Sequence, residues 1–119
     1  MADSEVDTML DGKDEDARSK IADRVGERLS SDEMSQTDRR AAEILARALA
    51  KDAIVRVRRA LSMTVRNAQH LPLDIGLIIA HDVDSVACPF LAVTDIFSDE
   101  DWSQLLLTIS RGARATVAK

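Results

Sequence analysis

Two stretches of the chain, thirty residues apart, resemble each other. The first, DAIVRVRRAL, begins at Asp52, and the second, DVDSVACPFL, begins at Asp82. Each opens with an aspartate, reaches a valine four or five residues later and closes on a bulky apolar residue. A unit that recurs every roughly 20 to 50 residues is typical of helical arrays, in which each hairpin buries its apolar face only against its neighbours. The recurrence therefore predicts an array of helical hairpins.

The spacing of the apolar residues predicts six helices and no strand. The predicted spans are about 15–29, 36–51, 53–68, 72–80, 84–93 and 99–111. The residues predicted to face the core of the first three helices are Ala17, Ile21, Val25 and Leu29, then Ala41, Ile44, Leu45, Ala48 and Leu49, then Ile54, Val57, Leu61, Val65 and Ala68. All of them recur at helical spacing, so the chain is predicted to be all-α.

Polar residues mark the predicted ends of these helices. Ser35 with Asp38, and Ser98 with Asp101, match the spacing of a capping box. Asp52 is predicted to cap the third helix, and Asp82 or Asp84 to cap the fifth. Gly112 is placed to end the sixth.

These spans predict one domain with a short tail. Residues 1–13 are read as an acidic flexible tail, and residues 14–119 as a single helical-repeat domain. Within that domain we expect hairpins at about 16–51, 52–81 and 82–111.

Charge alternates along the chain in bands. Residues 1–38 carry 12 acids and 5 bases, residues 39–66 carry 2 acids and 8 bases, and residues 67–110 carry 7 acids and no base. The three bases of the last nine residues bring the net charge to −5. Such bands concern association with partners, including other copies of the chain, rather than the fold.

The composition favours a cytoplasmic location. A single cysteine, Cys88, cannot form an internal disulfide, which suits a reducing compartment. The acidic N-terminus lacks the basic and apolar regions of a signal peptide. The longest apolar run, residues 75–80, is far shorter than the ~20 residues of a membrane span.

The repeated stretch also resembles a known kind of helical repeat. DAIVRVRR places Asp52 six residues before Arg58, with Val57 directly ahead of the arginine. This resembles HEAT repeats, whose Asp and Arg or Lys side chains form a ladder between successive units. The ordered series DARSKIADRV, RRAAEILARALAKDAIVRVRRALS, LPLDIGLIIAHD, SVACPFL and FSDEDWSQLL is similar to a mainly alphaproteobacterial domain family of unknown function with HEAT-like helices. The resemblance covers about residues 14–111.

The resemblance implies a HEAT-like, right-handed stack of about three antiparallel helical hairpins. The residues that would occupy equivalent repeat positions are Asp52, Val57, Arg58 and Leu61 in one unit, and Asp82 and Val86 in the next. Ala87 stands where the earlier unit has Arg58, so we expect the ladder to stop there. Members of the family usually continue with further helices, so this chain is either a fragment or a short member. The family has no established enzyme activity.

A basic helix is the main candidate for binding. Arg56, Arg59 and Arg66 fall together on the side of the third helix opposite its apolar stripe, and guanidinium groups bind carboxylates and phosphates. The sequence thus predicts a non-enzymatic protein-binding or scaffold module with no cofactor, and these arginines as its contact patch. An ordinary solvated helix face is the alternative for the same residues.

Other functions stay open as alternatives. Nucleic-acid binding is less favoured, because the chain is acidic overall and lacks aromatic residues interleaved with its bases. A metal-dependent hydrolase would use His70, His81 and Asp82, and Cys88 could act as a nucleophile with His81 as its base. The charge bands would also allow self-association of copies through complementary surfaces.

Overall fold

A computed structural model describes the backbone of residues 2–118 and the side chains of residues 14–118. All regular structure in this part of the chain is helical, as the apolar spacing predicts. The helices are α1 (Ala2–Leu29), α2 (Gln36–Leu49), α3 (Val55–Val65), α4 (Leu73–Ala80), α5 (Asp84–Leu91), α6 (Asp99–Leu105) and α7 (Arg111–Ala118). The all-α prediction is confirmed for these residues.

The largest difference from the prediction is near the end of the chain. The predicted sixth helix, about 99–111, ends instead at Leu105, and a seventh helix begins at Arg111. Gly112 does not end a helix. It lies in the first turn of α7, where an added Cβ would overlap the carboxylate of Asp84. The Ser110 hydroxyl accepts a hydrogen bond from the Ala113 N–H at 3.0 Å, which starts the new helix.

The first helix also begins earlier than the apolar pattern indicates. The helical backbone of α1 starts at Ala2, although its apolar stripe starts only near residue 15. The predicted acidic flexible tail, residues 1–13, lies outside the described side chains and stays a prediction.

The odd-numbered helices lie side by side in chain order. α1 contacts α3, α3 contacts α5, and α5 contacts α7, while α2 packs on α1 and α3, and α4 packs on α5. The smallest dimension of the molecule is 18 Å, which is about two helix diameters of roughly 10 Å. The contacts thus place the odd-numbered helices in one row from α1 to α7.

The core follows the buried side of α3. Val57, Leu61 and Val65 are fully buried, Ala68 is buried and Ile54 is partly buried, as predicted. In the last third of the chain, Phe90 of α5 and Trp102 of α6 both pack edge-on against Phe97. The ring centroid of Phe97 lies 6.1 Å from that of Phe90 and 5.1 Å from that of Trp102. The aromatic rings join α5 to α6 although the chain has few of them.

The predicted core faces of α1 and α2 are partly wrong. In α2, Ala42, Ala46 and Leu49 are buried, whereas Ile44 and Leu45 are 66 % and 49 % exposed. In α1, Ile21 is exposed and Ala22 is buried in its place. Alanines at the contact let the backbones of the two helices approach closely, and the larger residues of α2 consequently point outward.

Gly26 allows a similarly close approach between α1 and α3. A Cβ at this position would overlap the Oγ1 and Cβ atoms of Thr64. Around the same contact, the Ser30 hydroxyl lies 2.9 Å from the Thr64 carbonyl oxygen, to which it can donate a hydrogen bond. The closest helix pair of the fold thus depends on a residue without a side chain.

The predicted caps are right for two helices and wrong for two others. Ser35 accepts a hydrogen bond from the Asp38 N–H, and Ser98 with Asp101 forms a complete capping box. The N-cap positions of α3 and α5 are instead occupied by Ile54 and Val83. Asp52 and Asp82 precede those caps, and their carboxylates are held by arginines from the preceding odd-numbered helix.

Among the described residues, none of the helices has the length and apolar character needed to cross a membrane.

Candidate functional site

Two arginine–aspartate pairs tie the row of odd-numbered helices together. Arg18 of α1 donates through Nε to Asp52 Oδ2 at 2.7 Å. Arg58 of α3 donates through Nε to Asp82 Oδ2 at 2.7 Å and through Nη2 to Asp82 Oδ1 at 3.1 Å. Its Nη1 also donates to the carbonyl oxygen of Asp52 at 2.7 Å. In both pairs, an arginine of one odd-numbered helix holds the aspartate just before the next odd-numbered helix.

Asp52 sits at the centre of this arrangement. Burial raises the pKa of its carboxyl, but hydrogen bonds from the Ile54 N–H and from Arg18 lower it by more, helped by the charge of Arg58. The pKa of Asp52 therefore lies below its ordinary value, and the carboxylate is ionised at neutral pH. The Arg18–Asp52 pair joins α1 to the start of α3, next to the surface between the two helices.

A groove of about 480 Å³ lies on that surface. Two positions of α1 and five from the first turns of α3 line it: Ser19, Asp23, Val55, Arg56, Arg59, Ala60 and Met63. The groove combines two guanidinium groups, one carboxylate and one hydroxyl with the apolar surfaces of Val55 and Met63. Such a mixed surface suits a peptide segment better than a small apolar ligand.

Arg56 is held at one end of the groove by the acids of α1. Its Nη1 lies 2.6 Å from the Asp16 carboxylate and 3.4 Å from that of Glu15. The hydrogen bond with Asp16 raises the pKa of the Arg56 guanidinium. The side chain is 57 % exposed, and exposed ion pairs contribute little because water competes with them. A ligand carboxylate could therefore replace the Asp16 contact at small cost.

Arg59 and Ser19 both have hydrogen-bonding capacity to spare. Arg59 is exposed, and no acid of residues 14–118 forms an ion pair with it. Ser19 is only 7 % exposed, yet its Oγ has no hydrogen-bond partner among the described residues. A buried hydroxyl without a partner is destabilising unless a water or a ligand satisfies it. Ser19 and Arg59 are both among the residues that line the groove.

The structure brings two of the three predicted arginines together and separates the third. Arg56 and Arg59 line the groove, whereas Arg66 is half-buried beyond the end of α3 and does not line it. Sequence reasoning missed Ser19 because serine in a helix usually points to solvent, and only the packing of α1 on α3 buries it.

The residues proposed for metal chemistry are engaged elsewhere. The ring nitrogens of His81 lie 2.8 Å from the Leu77 carbonyl oxygen and 2.7 Å from the Thr108 hydroxyl. Asp82 is held by Arg58, and His70 is exposed. Across residues 14–118, no three His, Cys, Asp or Glu side chains are grouped so that they could hold a metal ion. Cys88 is partly buried against the core.

Comparison with known proteins gives no relative: no family model, curated protein or solved structure matches this chain.

Proposed function

We propose that the protein is a non-enzymatic interaction module of the bacterial cytoplasm that binds an acidic segment of a partner protein. The observation that carries this proposal is the groove between α1 and α3, which Ser19 and two arginines line together. Each of these groups can donate hydrogen bonds to a carboxylate or a phosphate.

The proposed architecture is a HEAT-like, right-handed stack of helical hairpins, in line with the resemblance to a HEAT-like bacterial family. The Arg18–Asp52 and Arg58–Asp82 pairs support it, because each joins one odd-numbered helix to the start of the next. The contacts of α1, α3, α5 and α7 in chain order support it as well. In a stack of this kind, neighbouring units present a continuous binding surface.

The ligand segment would lie along the groove in an extended conformation. An acidic side chain would pair with Arg59 and replace Asp16 at Arg56, while the Ser19 hydroxyl donates to an oxygen of the same segment. Val55 and Met63 would cover a neighbouring apolar side chain, and Asp23 would accept a hydrogen bond from the ligand. Affinity would come from these few anchors, with charge raising the rate of encounter.

The acids around the groove favour a protein ligand over a nucleic acid. Asp23 lines the groove and Asp16 lies beside it, paired with Arg56. The phosphates of a nucleic acid follow one another every few ångströms, and these carboxylates would repel them. A short peptide can present one or two acidic groups to the arginines and keep the rest of its length neutral.

Affinity capture from a lysate of the native host tests the proposal. Wild type is compared with Arg59→Glu and with Arg24→Glu, which makes the same charge change at an exposed position of α1 outside the groove. We expect one partner to be retained by wild type and Arg24→Glu and lost by Arg59→Glu, with all three proteins equally helical by circular dichroism. Equal retention by all three, or no specific partner, contradicts the proposal.

A further inference from the structure

One face of α2 is exposed although it is apolar. Its residues recur at spacings of three and four: Ala41, Ile44, Leu45 and Ala48. All four are exposed, and Ile44 is the most exposed large apolar side chain of the helix. An apolar stripe at this spacing is the pattern that a helix shows when it lies in a groove of another protein. Monomeric proteins seldom leave such a stripe in water.

An apolar groove lies at the other end of the row of helices. It has a volume of about 610 Å³ and is lined by Leu91, Ala92, Trp102, Thr116 and Val117, which belong to α5, α6, α7 and the residue after α5. Trp102 is only partly buried there. The exposed face of α2 and this groove lie on different hairpins, so one molecule can offer both at once.

The two surfaces carry opposite charge. Residues 39–51, which run from α2 into the turn after it, contain four bases and one acid. Residues 95–101, which lead into α6, contain four acids and no base. Arg40 is exposed and lies four residues before Ile44 on the same side of α2, and Lys51 is exposed in the turn after the helix. Asp95, Asp99 and Glu100 are exposed, and the last two are in the same helix, α6, as the groove residue Trp102. Bringing the surfaces together would pair these charges around an apolar centre, as in protein interfaces.

We propose that copies of this chain associate head to tail, with α2 of one copy lying in the Leu91–Trp102–Val117 groove of the next. Ile44 and Leu45 are the anchors, and Arg40 and Lys51 face the acids at residues 95–101. The contact is heterologous, so each copy keeps one free end and the assembly grows with concentration. One helix face forms the contact, so the interface is small and the association is weak and reversible.

The second copy is a better occupant than an unrelated helix because the matching partner surface is on the chain itself. The stripe, the groove and the two charge clusters complement one another in pairs. This contact is independent of the groove between α1 and α3, and its test does not depend on the proposed function.

The test uses sedimentation equilibrium of the full chain from about 10 µM to about 1 mM, a range that covers weak protein contacts. Ile44→Glu removes the anchor of α2, and Ala92→Arg blocks the groove at an exposed residue. Val83→Glu is the matched control, because Val83 is an exposed apolar residue outside both surfaces. Circular dichroism confirms that every variant is folded.

We expect the mean mass of wild type and Val83→Glu to rise with concentration beyond that of a dimer, and to fall when salt is added. Ile44→Glu and Ala92→Arg should each stay monomeric. A mixture of these two variants should form a dimer and nothing larger, because only one intact interface remains per pair.

Three outcomes overturn the proposal. Wild type that is monomeric at every concentration excludes the contact. Dimers of Ala92→Arg alone show that α2 pairs with α2 of another copy instead. A mixture of the two variants that stays monomeric shows that the α2 face and the groove do not bind each other.

Discussion

Replacing Arg58 with alanine should be among the most destabilising single substitutions in this protein. The Arg58 side chain is 17 % exposed, and its guanidinium makes three hydrogen bonds, two to Asp82 and one to the Asp52 carbonyl oxygen. The substitution leaves the carboxylate of Asp82, itself only 10 % exposed, without its partner. Breaking a buried pair from one side costs about 3–5 kcal/mol, and the partial exposure of Arg58 places the expected loss near the lower end, at about 3 kcal/mol.

Urea denaturation followed by circular dichroism measures this loss. For a chain of this length, about 3 kcal/mol corresponds to a decrease in Tm of roughly 10 °C. Arg59→Ala is the matched control one residue away, since Arg59 is exposed and should change stability by no more than ~0.5 kcal/mol. Arg58→Lys should recover only part of the loss, because an ammonium cannot bridge both carboxylate oxygens as the guanidinium does.

A double-mutant cycle with Asp82→Asn assigns the loss to the pair. We expect a coupling energy of about 1.5–3 kcal/mol, the range of hydrogen bonds between charged groups. If Arg58→Ala costs no more than Arg59→Ala, or if the coupling with Asp82 is near zero, the pair does not hold α3 to the start of α5 and our account of the helix row is wrong.

Three further substitutions test separate parts of the fold. Gly26→Ala should destabilise the protein by about 1–2 kcal/mol in urea titrations, because the overlap with Thr64 outweighs the gain in helix propensity. Ser98→Ala should cost about 1 kcal/mol through loss of the capping box of α6, whereas Ser103→Ala, on the exposed side of the same helix, should cost less. Asp52→Asn should remove a pH-dependent contribution to the free energy of unfolding. Because the pKa of Asp52 is lower in the folded state, its carboxylate stabilises the fold above pH ~4, and this stabilisation is lost as the pH falls through the folded-state pKa.

Each of these predictions has an outcome that would contradict it. Gly26→Ala that is neutral or stabilising would mean that α1 and α3 can separate without cost. Ser98→Ala that costs no more than Ser103→Ala would remove the cap from the account of α6. For Asp52, unfolding free energies of wild type and Asp52→Asn at pH 6, 4 and 2 should converge as pH falls; a constant difference would show that the Arg18 contact does not lower the carboxyl pKa.

Helical periodicity was sufficient to predict most of the helices, but not which face of each helix is buried. For α3 the apolar stripe and the buried face coincide, since Val57, Leu61 and Val65 are all fully buried. On α2 the stripe of Ile44 and Leu45 competes with a second stripe of alanines and Leu49. The alanine stripe is buried because small residues permit closer helix packing, and no pattern of hydrophobicity within one helix reveals which neighbour it will meet.

The candidate site was predictable only where it depended on local charge. Arg56 and Arg59 are three residues apart on one helix, so their common location in the groove follows from helical spacing. Arg66 is the residue after the end of α3, seven residues from Arg59, and it does not line the groove although helical spacing predicts a shared face. The burial of Ser19 depends on the packing of α1 against α3. That contact joins residues far apart in the chain, so the sequence of α1 alone does not specify it.

The most direct test of the central claim is a photo-cross-link from inside the groove between α1 and α3. A benzophenone amino acid at Val55, which lines the groove and is partly exposed, would react with whatever lies there in the native host, and the same group at Val83 serves as the control. Our account predicts a cross-link from Val55 only, to an acidic segment of another protein, and predicts that Arg59→Glu abolishes it. Cross-links that are the same at both positions, that persist in Arg59→Glu, or that join only copies of this chain would contradict it.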